Sequence, residues 1–466
     1  MIRQALANPL SKLLFRSNPS VGRALPIVPG MFLPERFAMG LVALGFCLGA
    51  ASCSQDSTVP RAWDQDWNVL LVTLDSTRAD RLGCYGHLEA RTPVLDQLAD
   101  EGIRFERAIA SAPISNVAHA SILSGCYPET DVANDPEGVH SPVLTPQNTT
   151  LSVILGSRGW RTAAFVSSYS MTELFGLASG YQSFNTGLPD SRSGLVDQVA
   201  NRRSDQTTDE ALTWLEQYGT SGHWHLWLHL ADVQDAETLP PEDFANEFGV
   251  SDLNPESLGE WVLREELYDL EVAYVDQQLG RVVDYLKATG QYERTLIIVA
   301  GGNGLGLSDG LRNHAWADSG LLYDWSIRVP LILRLPEMSQ PLVVPELVRT
   351  IDILPTVLEK LEIAFPASID GRSLLPILRR ELDEPRVAFA EARLAEANGA
   401  VFDELPIQHR DDLFVVTEQG WKLIHHANSP VNSELYDLLH DPAELHNLIT
   451  EEPEEAARLR RILEMR

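Results

Sequence analysis

Cysteine is scarce in this chain, with four in 466 residues. Cys47 and Cys53 fall near the N-terminus, so only Cys84 and Cys126 remain in the body of the protein. That number excludes a disulfide-stapled scaffold and a cysteine-rich zinc module. The two body cysteines read as buried thiols, with a Cys84–Cys126 disulfide the alternative open to an exported protein. Basic residues are also short, 36 against 66 acidic ones, for a net charge of −30. A polyanion-binding surface needs the opposite balance, which excludes nucleic acid as a partner and disfavours an anionic membrane face. The acidic excess reads as a solvated surface and names no partner. The chain has no short internal repeat and no long low-complexity tract. With 44% apolar and 8% aromatic residues it has the composition of a globular protein large enough for more than one domain.

One apolar run stands apart. Arg3, Lys12, Arg16, Arg23 and Arg36 precede "FAMGLVALGFCLGAASCS", which ends in small residues. The apolar part of this run, residues 37–51, is shorter than the ~18–20 residues a spanning helix needs and matches a secretory signal core. Its ending "AASC" is similar to a bacterial lipobox, with Ala50 where leucine is commoner and Cys53 as the residue that would carry lipid. A lipoprotein of the cell envelope, simple secretion and an uncleaved anchor all stay open, and Met31 or Met39 could be the start. Export is the shared expectation.

From residue 67 short runs rich in Val, Ile and Leu alternate with amphipathic stretches. "NVLLVTL" (68–74), "RTAAFV" (161–166), "HLWLHL" (225–230), "TLIIVA" (295–300) and "VPLILRL" (329–335) read as buried strands. "TPVLDQLADEGI", "TTLSVILGSRG", "TTDEALTWLEQYG" and "ELYDLEVAYVDQQLGRVVDYLKATG" read as helices, several ending in glycine. The alternation predicts an α/β fold: a large, mostly parallel sheet covered by helices on both faces, with sites collecting at the carboxyl ends of strands. After about residue 380, "RVAFAEARL", "LFVVTE" and "WKLIHH" come close together, followed by a charged helical stretch. They predict a small C-terminal antiparallel α+β subdomain. The organisation expected is a leader over 1–53, a linker over 54–66, an α/β domain over 67–380 and the subdomain over 381–466.

The stretch "TLIIVAGGNGLGLSDG" (295–310) runs from a strand into a glycine-rich loop of the kind that often cradles phosphate. Its spacing excludes a dinucleotide loop, because Leu307 stands where the last glycine is needed, and no P-loop lysine follows.

Taken in order, "NVLLVTLDSTRADRLGCYG", "TPVLDQLADEGIRFERAIASAPISNVAHASILSG", "YDLEVAYVDQQLGRVVDYL", "YDWSIRVPLILRLP", "DILPTVLEKLEIAFPASIDGRSLLP", and "WKLIHH" followed by "ELYDLLHDPAELHNL" resemble the sulfatase family of the alkaline-phosphatase-like superfamily. The resemblance covers roughly residues 67–466. It implies a mixed, mostly parallel sheet with a small C-terminal domain. It also implies hydrolysis of sulfate esters, sometimes phosphate or phosphonate esters, at a divalent-metal site, with calcium the expected ion. Such chemistry needs a nucleophile, a metal that gathers negative charge and an acid for the leaving oxygen.

On this resemblance Asp75 is the first metal ligand, and Ser76 stands where many relatives carry a second aspartate. The nucleophile loop C/S-x-P-x-R corresponds to "SNVAH" (115–119): Ser115 holds the nucleophile position, Val117 replaces proline and His119 replaces arginine. These replacements argue against conversion to formylglycine. They leave Ser115 as a plain hydroxyl nucleophile, suited better to phosphate esters, at a helix N-terminus where an anion is favoured. A helix-capping serine is the alternative for the same position. "CYPET" from Cys126 imitates the nucleophile motif but lacks its arginine.

The family's S-D-N-G motif reads Gly301-Gly302-Asn303-Gly304 here, so Asn303 remains as a metal ligand and Gly302 is a blank. Where a D-P-H sequence offers a histidine, this chain has Asp232, Val233 and Gln234; Gln234 can hydrogen-bond an oxyanion but cannot act as an acid near neutral pH. Gly320 stands where a basic residue is usual, and His314 is the upstream candidate to substitute for it. One carboxylate, one amide and one hydroxyl compensate poorly for the hydration that a hard cation gives up. Weak or absent metal binding is therefore expected, together with a gain in affinity from Gly302→Asp. Two functions follow. One is an exported hydrolase of a sulfated or phosphorylated small molecule or glycan. The other is a catalytically impaired relative that binds a glycan, an anionic ligand or a protein.

Overall fold

Asn68 and six consecutive apolar or β-branched residues make the central strand β1 (Asn68–Leu74), buried along its whole length. Val69 and Leu71 pack into one core, while Leu70, Val72 and Leu74 pack into a second core on the opposite face. A strand buried on both faces must read as a continuous apolar run, and this one does. The computed structural model describes residues 67–128, 144, 148–187, 201–234, 240–247, 260–307, 320–338, 340–364, 366, 368–381, 383–393 and 411–466.

The remaining strands of the main sheet are β2 (Ile103–Ile109), β3 (Arg161–Val166), β4 (Ser183–Asn185), β5 (Trp224–Leu230), β6 (Thr295–Gly301), β7 (Arg328–Val329), β8 (Leu331–Arg334) and β9 (Leu342–Arg349). They form a nine-stranded sheet in the order β4-β3-β5-β1-β6-β8-β2-β7, with β9 paired to β2. Pairing is parallel from β4 through β6 and antiparallel where β8 meets β6 and β2.

Among the described residues, the α-helices up to residue 288 are α1 (Pro93–Asp100), α2 (Ser115–Ser124), α3 (Leu151–Gly156), α4 (Ser204–Tyr218), α5 (Glu242–Glu247) and α6 (Glu260–Ala288). In α6, Tyr268, Val272, Val275, Leu279, Val282 and Leu286 recur at helical spacing and join residues of α1 and α4 in the core on one face of the sheet. Residues of α2, α3 and the later helix Ile353–Lys360 cover the other face. Among the described residues no helix is long and apolar enough to cross a membrane.

The expected strand over 329–335 is broken. Pro330 lacks an N–H for a ladder, and the segment divides into β7 and β8. Strand β9 went unread in the sequence because "LVVPELVR" carries a proline and charges; it pairs with β2 across an irregularity between Phe105 and Arg107.

The second sheet is antiparallel, in the order β10 (Ala388–Ala392), β11 (Leu413–Glu418), β12 (Trp421–His426) and β13 (Glu434–Asp437). Gln419 and Gly420, with φ of 50° and 88°, make the two-residue turn joining β11 to β12. The terminal helix Pro453–Glu464 lays Ala456 and Leu459 on one face of this sheet. The other face contacts Ile109, Leu322, Tyr323 and Ile327 of the larger unit.

Candidate active site

Strands β5, β1 and β6 end in register, with Leu74 opposite both Leu230 and Gly301. The next peptide of β1 stays in the ladder, because Asp75 N–H donates to Leu230 O at 2.9 Å and Gly302 N–H donates to Leu74 O at 3.0 Å. The chain then turns sharply. Ser76 takes a left-handed φ of 51°, and Tyr268 of α6 clamps the turn by donating to Ser76 O at 2.9 Å and accepting from Arg78 N at 2.8 Å. Holding a non-glycine residue there costs on the order of 1–3 kcal/mol, and the clamp keeps the Asp75 carboxylate at the mouth of the sheet.

Ser115 is the first residue of α2, and the N-cap position belongs to Ile114, whose side chain caps nothing. The capping role weighed for this serine does not apply. Its hydroxyl donates to Asp75 Oδ1 at 2.7 Å and lies 3.2 Å from Asn303 Oδ1. Asn303 turns its amide nitrogen away, donating to Gly304 O at 3.1 Å. Three oxygens from three segments therefore converge with one hydroxyl proton among them.

One turn along α2, His119 donates from Nδ1 to Ser115 O at 2.6 Å, which leaves its Nε2 without a proton. The ring packs edge-on to His229, with centroids 4.8 Å apart. His229, the penultimate residue of β5, accepts from Ser167 N–H on Nδ1 at 3.3 Å and therefore presents Nε2–H to Asp75 Oδ2 at 3.4 Å. Gly302 is not an empty position. A Cβ on it would come within 2.3 Å of His119 Cε1 and 3.0 Å of His119 Nε2. The imidazole fills the space in which a side chain at 302 would begin, which overturns the expectation that Gly302→Asp alone would rebuild a ligand.

Burial by itself would raise the Asp75 carboxyl, but the His229 ring 3.4 Å from Oδ2, with His119 and the Ser115 hydroxyl, outweighs it and holds it below the ordinary carboxylate range. Burial, reinforced by His229, pushes His119 down to about 4, so the ring is neutral at physiological pH. Asp75 Oδ2, Ser76 Oγ, His119 Nε2 and His229 Nε2 are buried and make no hydrogen bond among the described residues. Leaving such atoms unmatched costs about 1–3 kcal/mol each, and so many in one site mark a place built for something else. Asp75, His119 and His229 each offer one ligand atom, all within 4.8 Å of one another. Calcium fits this donor set badly: it takes six to eight oxygens, and two of these three donors are imidazole nitrogens.

Asp75, Ser76, Ser115, His119 and Asn303 are thus brought together. Gln234 closes the short turn Asp232–Gln234 just beyond β5, with its side chain outside the described residues. Its neighbour Asp232 accepts from Ser204 N–H at 3.0 Å, which spends that carboxylate on the start of α4. His314 lies outside the described residues. His229 went unnoticed in the sequence, where "HLWLHL" reads only as a strand. The available signal was the spacing of His225, Trp227 and His229, which puts a polar ring on one face just before the carboxyl edge. Cys84 and Cys126 are not joined in a disulfide, and both are half-buried rather than the fully buried thiols expected.

The Sulfatase family profile matches residues 67–363, and a profile for the C-terminal region of N-sulphoglucosamine sulphohydrolase matches residues 312–465. The chain belongs to the sulfatase family. It is 22% identical to an N-acetylglucosamine-6-O-sulfatase of Bacteroides thetaiotaomicron, over 89% of this chain and 87% of that one. It is 26% identical to a multifunctional alkaline phosphatase superfamily protein of Trinickia caryophylli, over 82% and 91%. Among solved structures it resembles a phosphonate monoester hydrolase of Agrobacterium radiobacter, with TM-score 0.64 and 21% identity over 86% of this chain and 94% of that one. A protein solved in complex with its substrate D-glucosamine-2-N,6-O-disulfate gives TM-score 0.65 and 20% identity over 86% and 97%. These structural likenesses show the fold.

Proposed function

We propose that this protein is an exported hydrolase of sulfate or phosphate esters in which Ser115 Oγ is the attacking atom. The observation that carries the reading is the 2.7 Å bond from the Ser115 hydroxyl to the ionised Asp75, at the N-terminus of α2. In the first half-reaction Oγ bonds to sulfur or phosphorus, the bond to the departing alkoxy or aryloxy group breaks, and the hydroxyl proton passes through water to that departing oxygen. Water then releases sulfate or phosphate and restores the hydroxyl. The N-terminus of α2, where Ser115 stands, favours a bound anion. Asp75 orients the hydroxyl rather than deprotonating it, since its carboxyl is held below the usual range. The relatives' names make a sulfated amino sugar the first natural substrate to try.

A silent binder of an anionic ligand is the second reading, favoured by Gln234 and Gly302, at positions where the family resemblance implies a histidine and an aspartate. Turnover separates the two. The purified chain is assayed with 4-nitrophenyl sulfate, 4-nitrophenyl phosphate and glucosamine 6-sulfate, beside Ser115→Ala. Loss of about a thousandfold or more in kcat/KM in the variant supports the nucleophile; equal rates in the two proteins would sink it. Export rests on the leader, and palmitate labelling that disappears in Cys53→Ser would identify the lipidated form.

A further inference from the structure

We propose that Asp75, His119 and His229 form a cation site that selects a borderline transition metal of the Zn²⁺ type over Ca²⁺, with His119 Nε2 supplying the donor that residue 302 no longer carries. The purpose of this site rests on the hydrolase reading.

The first argument is volume. His119 Cε1 and Nε2 lie 2.3 and 3.0 Å from where a Cβ on Gly302 would sit, so a carboxylate at 302 and this imidazole compete for the same space. The strand-end ligand is exchanged for another group, not simply deleted. The exchange changes the chemistry, because imidazole nitrogen suits zinc, copper, nickel and iron, whereas calcium takes oxygen.

The second argument is orientation. Metal-binding histidines commonly donate their other N–H to a carbonyl, which fixes the ring and frees the ligating lone pair. His119 does this, with Nδ1 to Ser115 O at 2.6 Å and Nε2 unmatched and buried. His229 is less prepared. Ser167 N–H occupies its Nδ1 at 3.3 Å, so a cation on Nε2 requires the ring proton to move to Nδ1 and that long bond to break. His119 is therefore the anchor and His229 the adaptable ligand.

The third argument is reach. The three donor atoms lie within 4.8 Å of one another, against roughly 3.3 Å between tetrahedral neighbours on bonds of 2.0–2.1 Å. Closure needs about 1.5 Å or less between any pair. Asp75 brings the single negative charge, and Ser115 Oγ and Asn303 Oδ1, 3.2 Å apart, lie alongside as oxygen donors.

The test uses the full chain, stripped with a chelator and titrated by calorimetry with ZnCl₂ and with CaCl₂. The expected result is one Zn²⁺ per chain, bound about a hundredfold or more tighter than Ca²⁺. His119→Ala is expected to weaken Zn²⁺ by about a hundredfold and His229→Gln by less. Gly302→Asp in the His119→Ala background is expected to shift the preference toward Ca²⁺. Ca²⁺ binding as tightly as Zn²⁺ in the unaltered chain, or unchanged Zn²⁺ affinity in a folded His119→Ala, overturns the proposal. If a variant does not fold, the two titrations of the unaltered chain still decide. Cobalt(II) absorption, intense when four-coordinate with nitrogen and weak when six oxygens surround the ion, gives a second readout. Because the measurement is binding, a chain that takes Zn²⁺ but cleaves no ester would fail the hydrolase reading alone.

Discussion

The ring of His119 stands where the side chain of residue 302 would begin, 2.3 Å from a Cβ at that position to the nearest ring carbon. The ring cannot easily give way, because its Nδ1 is bonded to Ser115 O at 2.6 Å and it packs edge-on to His229 and tilted beside Trp227. Gly302→Ala is accordingly expected to cost about 1–3 kcal/mol of stability, the range for overpacking a well-filled site. In a His119→Ala background the same change should cost close to nothing. Urea denaturation of the four proteins gives the coupling directly, and additive costs would show that the ring and residue 302 do not compete.

Most of the sheet was readable because β1, β3, β5 and β6 are buried on both faces and so must be apolar runs. What escaped were pieces whose identity depends on neighbours. Strand β9, with proline and two charges, is a strand only because β2 lies beside it. In the site, Asp75, Ser115 and Asn303 were legible from their motifs. His229 was not, because a histidine inside an apolar strand looks the same whether it faces a core or an active site. Nor could the sequence show that His119 fills the space at Gly302, since 183 positions separate them in the chain and only folding brings them together.

His225, also on β5, gives a pH signature of stability away from the site. It is buried, donates from Nδ1 to Val69 O at 3.3 Å and meets the Tyr181 hydroxyl at 3.4 Å on Nε2. Burial pushes it down to about 4, below the 6.5 of a free histidine. Its folded-state affinity for a proton is the lower one, so its stabilising neutrality is complete above pH 6.5 and lost as pH falls toward 4. It should contribute a slope of up to about 1.4 kcal/mol per pH unit in that window. Urea midpoints at pH 7, 6 and 5 should fall in the parent and fall less in His225→Gln; parallel curves would show that His225 is not the titrating group.

Asp352 offers a purely structural contrast. Fully buried, it takes Arg349 Nη2 at 2.7 Å and Arg386 Nε at 3.1 Å, and accepts Arg372 N–H at 2.8 Å. Asp352→Asn leaves two nearly buried guanidinium groups facing no charge at that position, at an expected cost of about 3–5 kcal/mol. The loss should appear in denaturation, while kcat of the protein that remains folded stays within about twofold.

Asp75→Asn should behave differently, and the reason lies in which atoms can donate. Asp75 Oδ1 accepts from the Ser115 hydroxyl at 2.7 Å and from Ser76 N–H at 3.1 Å, so an amide placed there must keep its oxygen on that side. The NH₂ then faces His229 Nε2, which is 3.4 Å from Asp75 Oδ2 and carries a proton because Ser167 N–H holds Nδ1. Donor meets donor, and the ring cannot switch tautomer without turning a second donor against Ser167. The expected cost is about 1–3 kcal/mol of stability, with a fall in turnover of about a hundredfold or more from losing the charge beside Ser115. His229→Gln in the same chain can offer an oxygen to the new NH₂ and should recover part of the stability. It should not recover the rate, because the charge beside the hydroxyl is still missing. Denaturation and kcat measured on the parent, both single variants and the double variant separate these outcomes. Recovery of the rate together with the stability would mean that Asp75 acts only as a spacer, and the assignment of Ser115 as an oriented nucleophile would fall with it.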